Sequence, residues 1–240
     1  MRLVLLCALL FACDRPAPPK AEAADGVSRV VEHEGVAWRV FDLDLRRVKL
    51  ALLGQAEGEP RTFKALDLKG ERLVMATNAG IFQDDRTPNG LHVERGQELH
   101  ALERADGEGN FYLKPNGVFW VDARGAHVAA SERYAPEGEV VLATQSGPLL
   151  LDRGKVHPKF TSPGTSRKVR SAVGVDARGH VLVAFSREPV SFIDSATLFQ
   201  RLKCKDALYL DGEISGVLTP EGIEGFQHHE YGGLLVATER

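Results

Sequence analysis

Four segments of the 240-residue sequence place small and polar residues where apolar runs end, at residues 77–91, 109–117, 145–149 and 208–218. Asparagine and glycine after a strand let the backbone turn sharply and approach a ligand closely. One such segment is typical of an ordinary turn, whereas four indicate a shared polar pocket. In the fourth segment Asp211 and Glu213 stand two residues apart, so on an extended strand both carboxylates face the same side. The sequence therefore predicts a pocket with two carboxyl groups available for acid–base chemistry.

Short strands are predicted to position these residues, because 24 glycines and 12 prolines leave little room for long helices. Apolar runs predict strands at residues 36–45, 48–53, 72–77, 117–122, 140–144, 207–210 and 232–237, and a hairpin at residues 171–176 and 180–185. Residues 62–69 and 191–203 predict two short helices, the second with Ser191 and Asp194 at capping-box spacing. The predicted fold class is α+β, a mixed or antiparallel β-sheet core with a few short helices, in a single domain over residues 27–240.

Composition and missing motifs exclude several classes of protein. With 30 Lys and Arg against 33 Asp and Glu, the net charge is −3. A nucleic-acid binder usually carries an excess of positive charge, so this composition argues against that class. Hydrophobic residues make up 43%, which excludes a coiled coil and a multi-span membrane protein. The sequence has no Gly-x-Ser-x-Gly elbow, no His-Glu-x-x-His, no Cys-x-x-Cys and no phosphate-binding Gly-Lys-Ser/Thr loop. His228 and His229 are adjacent, and a solvent-facing pair is favoured over a metal site.

The first 13 residues predict an export signal. An apolar run at residues 3–12 is too short to span a bilayer, which needs about 20 residues, and it ends at Cys13 in a pattern that resembles a lipobox. Lipidation of Cys13 would anchor the protein to a membrane through lipid only, and the Pro/Ala-rich residues 14–26 predict a flexible tether. The alternative is a secretory signal cleaved near Ala24. Both alternatives predict the cell envelope, as a periplasm-facing lipoprotein or a secreted protein, with Cys204 as a structural thiol.

Seven short motifs, in order, resemble the phosphodiester glycosidase family, which includes the enzyme that uncovers mannose 6-phosphate on lysosomal glycoproteins. They are NAGIF at residues 78–82, PNGL at 88–91, KPNG at 114–117, QSGPL at 145–149, DRG at 152–154, RSAVG at 170–174 and LDG at 210–212. Each motif alone is weak, but their order and spacing are specific, and the stretch at 109–117 is most similar to a bacterial lipoprotein-like branch. The sequence departs from the family at Glu213, because relatives of the uncovering enzyme carry a glycine-rich stretch after the final Leu-Asp-Gly.

The resemblance implies a hydrolase that cleaves a sugar from a sugar-1-phosphodiester. Asp211 is the expected base, nucleophile or oxocarbenium stabiliser, with Glu213 as its partner. Arg170 is the expected phosphate clamp and Lys114 a second cation, because an arginine fork matches phosphate oxygens. The remaining expected substrate contacts are polar or small: Asn78, Asn116, Gln145, Ser146, Gly212 and Ser215. Each of these residues has a structural alternative as a turn, cap or surface group.

Cofactors and competing functions stay open at this point. No cofactor is required, although Asp84 and Asp85 offer hard oxygen ligands that suit calcium or magnesium. The first hypothesis is an exported enzyme acting on glycan or other sugar phosphodiesters in the cell envelope. The second is a non-catalytic glycan- or phosphodiester-binding lipoprotein, and Glu213 favours it. The third is an envelope protein without a functional pocket.

Overall fold

The computed structural model describes residues 27–227 and 230–240. In chain order its strands are β1 (Ser28–His33), β2 (Val36–Leu43), β3 (Val48–Leu53), β4 (Leu73–Asn78), β5 (His92–Glu94), β6 (Gln97–His100), β7 (Gly117–Asp122), β8 (Gly125–Ala130), β9 (Leu142–Ser146), β10 (Leu149–Asp152), β11 (Lys155–Val156), β12 (Ser171–Asp176), β13 (Val181–Ser186), β14 (Cys204–Asp211), β15 (Gly216–Thr219), β16 (Gly222–Gly225) and β17 (Leu234–Glu239). The described residues also contain one α-helix, α1 (Phe192–Arg201), and 3-10 turns at Phe63–Ala65 and Ser131–Arg133. The predicted signal (residues 1–13), Cys13, the tether (residues 14–26), His228 and His229 lie outside the described residues.

The strands form three sheets. Their orders are β1-β2-β13-β12-β14-β10-β11, β16-β15-β4-β17-β3 and β6-β5-β9-β7-β8. Every pairing among these strands is antiparallel. The protein is therefore largely antiparallel β-sheet, which confirms the sheet part of the predicted class but leaves little of the predicted helix. All seven predicted strands and the hairpin of β12 and β13 are confirmed, with ends shifted by a few residues.

Only one of the two predicted helices forms. At residues 62–69 the chain makes only the three-residue turn Phe63–Ala65, capped by Thr62. Eight residues give too few hydrogen bonds to offset the cost of nucleating an α-helix without wider packing. The second prediction is confirmed, because the Ser191 hydroxyl accepts from the Asp194 amide at 3.3 Å and the Asp194 carboxylate accepts from the Ser191 amide at 2.9 Å. This helix packs Ala196 and Phe199 onto the seven-stranded sheet.

Strand β14 lies inside the largest sheet and is buried on both faces. Leu208 and Leu210 point into one apolar cluster, and Ala207 and Tyr209 point into the other, as the two-residue period of a strand requires. The strand ends at Asp211, so the first polar side chain after this apolar run emerges at the end of the sheet. Packing of β14 on both faces thereby determines where the Asp211 carboxyl group lies.

Cys204 begins the same strand as a buried free thiol. Burial raises the pKa of the thiol to about 12, so the thiolate needed for nucleophilic chemistry is scarce near neutral pH. The prediction of a structural cysteine is confirmed. Within the described residues, no helix combines the length and apolar character needed to cross a bilayer.

Candidate active site

A cleft of about 340 Å³ opens beside the end of β14. Three parts of the chain form its walls: the loop after β4, the loop between β6 and β7, and the segment that ends β14. The lining residues are Ile81, Phe82, Gln83, Asp84, Arg86 and Asn89 from the first part, Glu108, Gly109, Asn110 and Phe111 from the second, and Tyr209, Asp211, Glu213 and Ile214 from the third, together with Glu230. Three of the four polar segments predicted to share a pocket therefore do reach one cleft.

Asp211 is a partly buried carboxyl group in this cleft. Its Oδ1 accepts the backbone N–H groups of Gly212 at 2.5 Å and of Glu213 at 2.9 Å. Those bonds favour the ionised form, but burial outweighs them and raises the pKa of Asp211 above its ordinary value. A carboxylate with a raised pKa is a stronger base than an exposed aspartate, which suits proton transfer near neutral pH.

Glu213 differs from Asp211 in both position and charge. The prediction that both residues lie on one extended strand is wrong, because β14 ends at Asp211 and Glu213 follows in a turn. Glu213 lines the cleft as an exposed side chain and accepts a hydrogen bond from Lys168 Nζ at 2.8 Å. That hydrogen bond lowers the pKa of Glu213. The two carboxyl groups thus have pKa values shifted in opposite directions, a pattern that separates their roles.

Asn78 and Ser215 meet behind Asp211 rather than in the cleft lining. The Ser215 hydroxyl donates to the Asp211 carbonyl oxygen at 2.6 Å, and its oxygen lies 3.2 Å from the Ser171 hydroxyl. Asn78 Nδ2 donates to the Ser171 hydroxyl at 2.8 Å, and Asn78 Oδ1 accepts from the Gly216 amide at 3.3 Å. This buried network holds the turn that carries Asp211. Through these hydrogen bonds its members position the Asp211 carboxyl group.

Arg170, the expected phosphate clamp, also lies outside the cleft lining. The side chain is 1% exposed, and its Cζ lies 3.8 Å from the centre of the Phe192 ring. Nε donates to the Val190 carbonyl at 2.9 Å and Nη2 to the Ser166 carbonyl at 3.0 Å. The guanidinium is packed in the interior against aromatic rings and lies outside the cleft lining, and its Nη1 has no hydrogen-bond partner in the described residues.

Gln145 is a buried link between loops. Its Oε1 accepts the backbone amides of Leu91 at 3.0 Å and Glu103 at 2.9 Å, while Nε2 donates to the Glu103 carbonyl at 2.6 Å and the Ser131 hydroxyl at 2.9 Å. A Cβ at Gly90 would overlap Gln145 Oε1, which explains the glycine in the PNGL motif. All four hydrogen-bonding positions of the amide are used within the protein.

Replacing Gln145 with methionine is expected to lower the free energy of unfolding by about 2–3 kcal/mol, because buried polar partners are left unsatisfied. Urea denaturation measures the change as a lower midpoint. The matched control is Gln97→Met on the exposed side of β6, which should shift the midpoint little. Equal midpoints for the two variants would show that the Gln145 hydrogen bonds contribute nothing to stability.

The other predicted substrate contacts lie outside the cleft lining. The Ser146 hydroxyl donates to the Leu210 carbonyl at 2.9 Å, and Asn116 Nδ2 donates to the Phe111 carbonyl at 2.9 Å. Lys114 Nζ is bound by Asp106 at 2.7 Å and by the Arg104 carbonyl at 2.8 Å. These three side chains support the strands and loops around the cleft.

Several lining residues carried no clear signal in the sequence. Asn89, Asn110 and Tyr209 lie within the predicted polar segments but were not singled out as site residues. Glu108 and Glu230 lie outside all four segments, in loops without periodicity. Asp84 and Asp85 are exposed, and no group of three or more His, Cys, Asp or Glu side chains in the described residues is arranged to hold a metal ion.

The fold and cleft define an antiparallel β protein with a partly buried carboxyl group at the end of a central strand. A family model described as phosphodiester glycosidase matches residues 71–225, and the chain belongs to that family. It is 34% identical over 170 residues to YigE, an uncharacterized protein of Escherichia coli strain K12, covering 70% of this chain and 66% of the relative.

Solved structures with similar folds have low sequence identity. One is the catalytic domain of zebrafish N-acetylglucosamine-1-phosphodiester alpha-N-acetylglucosaminidase auto-inhibited by its pro-peptide, with a TM-score of 0.64, 15% identity, and coverage of 89% of this chain and 82% of that chain. A putative exported protein of Burkholderia pseudomallei has a TM-score of 0.53, 11% identity, and coverage of 88% and 74%. At these identities the similarity establishes the fold.

Proposed function

We propose that this protein is an exported hydrolase that cleaves a sugar from a sugar-1-phosphodiester in the cell envelope. The observation that carries the proposal is Asp211, a carboxyl group with a raised pKa in a cleft formed by the region that the family model matches. Membership of the phosphodiester glycosidase family supports hydrolysis as the reaction class.

In the proposed reaction, Asp211 accepts a proton from a water molecule as the water oxygen attacks the anomeric carbon. The bond from that carbon to the phosphate oxygen breaks, and its electron pair leaves with the phosphate monoester. The sugar keeps the water oxygen as its new hydroxyl, and the proton on Asp211 returns to solvent. Because a phosphate ester is a good leaving group, neutralising its charge contributes more than protonating it. The expected products are one free sugar and one phosphate monoester.

Incubation with a panel of substrates tests this function. The purified protein is mixed with methyl phosphodiesters of glucose, galactose, mannose and N-acetylglucosamine 1-phosphates, with and without calcium or magnesium, and released sugar is detected by mass. Release by the wild type and not by Asp211→Asn supports the enzyme and names the sugar. Binding without release by either protein would favour the non-catalytic binding lipoprotein instead.

Export to the cell envelope is proposed from the apolar run at residues 3–12 and the cysteine that follows it. We expect the full chain to fractionate with membranes and to take up labelled fatty acid at Cys13. Cys13→Ser is expected to abolish the labelling, because the thiol is the acylated atom. An unlabelled wild-type chain that is recovered in the soluble fraction would contradict the lipid anchor.

A further inference from the structure

Acidic side chains outnumber basic ones in the lining of the cleft. Five carboxyl groups line it, on Asp84, Glu108, Asp211, Glu213 and Glu230. Arg86 is the only lysine or arginine among the described lining residues. A phosphodiester carries one negative charge, so it needs a cation in such a cleft. Arg170 and Lys114 lie outside this lining.

The backbone of Arg86 is fixed from two sides. Its amide donates to the Gln83 carbonyl at 2.9 Å, which closes a tight turn, and Arg86 has a φ of 73° there. Its carbonyl accepts from Gln55 Nε2 at 2.7 Å. A non-glycine residue in the left-handed region is uncommon and is retained where the surrounding structure determines it. The backbone from which the Arg86 side chain extends is therefore fixed at the edge of the cleft.

The guanidinium of Arg86 has unused donors. Nη1 donates to the Asp84 carbonyl at 3.0 Å, and Cζ lies 5.5 Å from the centre of the Phe82 ring. Nε is buried and has no hydrogen-bond partner in the described part of the chain. Within that part no carboxylate forms an ion pair with Arg86, whereas Arg95 pairs with Glu59 at 2.5 Å. Arg86 is half-buried as a whole and lines the cleft, so an anionic ligand there would supply the charged partner that its guanidinium lacks among the described residues.

We propose that Arg86 binds the phosphate group of the substrate and that the surrounding carboxylates restrict the site to monoanionic diesters. This inference rests on the proposed function and specifies its substrate class. A sugar 1-phosphate carries about two negative charges at neutral pH. Asp84, Glu108 and Glu230 have no ion-pair partner in the described residues, so they repel it more strongly than they repel a diester. With the phosphate on Arg86, the uncharged sugar occupies the part of the cleft that contains Asp211. The same repulsion assists release of the phosphate monoester product.

Kinetics with matched charge variants test the role of Arg86. The substrate is the methyl phosphodiester that the wild type hydrolyses fastest. Arg86→Gln is expected to raise KM by at least about tenfold, the scale of one lost charge-assisted hydrogen bond, and Arg86→Lys is expected to restore part of the affinity. The control is Arg124→Gln, which makes the same charge change at an exposed residue paired with Glu137. Equal KM values for Arg86→Gln and the wild type would overturn the assignment.

Calorimetry separates this inference from the proposed function. The methyl phosphodiester, the corresponding sugar 1-phosphate and the neutral methyl glycoside are each titrated into Asp211→Asn, with and without Arg86→Gln. The expected order of affinity is diester above 1-phosphate, with Arg86→Gln weakening diester binding and leaving the neutral glycoside unchanged. If the wild type releases no sugar but this pattern holds, the inference stands and the enzyme proposal fails. If sugar is released but the 1-phosphate binds as tightly as the diester, or if no diester binding is measurable, the inference fails.

Discussion

Asp211→Asn is expected to lower kcat for sugar release by about 10²–10⁴-fold, the usual contribution of a positioned general base. The amide keeps the shape of the carboxyl group, and its oxygen still accepts the Gly212 and Glu213 amides, but it cannot take a proton from water. Steady-state release of sugar from the preferred diester gives the measurement. A loss of less than tenfold would remove Asp211 from the reaction.

A second aspartate on the same strand provides the matched control. Asp206 also lies on β14, and burial also raises its pKa, but its carboxylate accepts the Arg153 amide at 2.8 Å and does not line the cleft. Asp206→Asn should therefore keep wild-type kcat. Glu213→Gln gives a further comparison, because a similar loss there would show that both carboxyl groups take part in proton transfer.

The raised pKa of Asp211 also predicts how activity and stability depend on pH. The acid limb of kcat/KM should lie above about 3.9, the ordinary value for aspartate, because activity requires the ionised carboxylate. Between the ordinary and the raised pKa the native state binds more protons than the unfolded state, so the free energy of unfolding falls as pH rises. Asparagine does not titrate, so Asp211→Asn lacks this decrease in the free energy of unfolding. The variant should therefore be at least as stable as the wild type at neutral pH. Lower stability of the variant there would contradict the direction of the shift.

The sequence predicts strands and the helix cap well because local interactions determine them. The hairpin of β12 and β13 needs only two apolar runs and a glycine turn, and Ser191 and Asp194 bond within one helical turn. The place of Asp211 at the end of a strand was also predictable, because it is the first polar residue after an apolar run of strand length.

The sequence does not distinguish a polar residue that contacts a ligand from one that holds the fold. Gln145, Asn78 and Arg170 lie at or next to strand ends, as site residues often do, but the structure engages each of them in hydrogen bonds with other segments of the chain. Gln145 reaches residues 42 and 54 positions away, and Asn78 reaches Ser171, 93 positions away. Only the assembled sheets decide which polar groups are already satisfied. The cleft therefore belongs partly to residues such as Arg86, which look ordinary in the sequence.

Gly212→Ala is the second variant with a large expected effect, because the turn after Asp211 passes directly over Tyr209. An added Cβ would overlap the Tyr209 hydroxyl oxygen and lie 3.2 Å from Arg170 Nη1. Tyr209 cannot swing aside, since it is 2% exposed and packs edge-on against Phe192 with ring centres 5.0 Å apart. The turn must move instead, and it carries both amides that hold the Asp211 carboxylate.

We expect Gly212→Ala to lower kcat by about 10²-fold, the scale associated with a 1 Å displacement of a catalytic group. The free energy of unfolding should fall by about 1–3 kcal/mol, as for other overpacked sites. Sugar release and urea denaturation measure the two effects on the same preparations.

Removing the Tyr209 hydroxyl distinguishes a steric cause from a general loss of folding. In the double variant Tyr209→Phe/Gly212→Ala the overlapping oxygen is gone, and the next contact of the added Cβ, at 3.2 Å, requires a shift of only a few tenths of an ångström. The double variant should therefore be more stable and more active than Gly212→Ala alone, with Tyr209→Phe as the reference for loss of the hydroxyl itself. Such a positive coupling is expected between residues in direct contact. Simple additivity of the two substitutions would show that the Tyr209 hydroxyl is not what requires glycine at position 212.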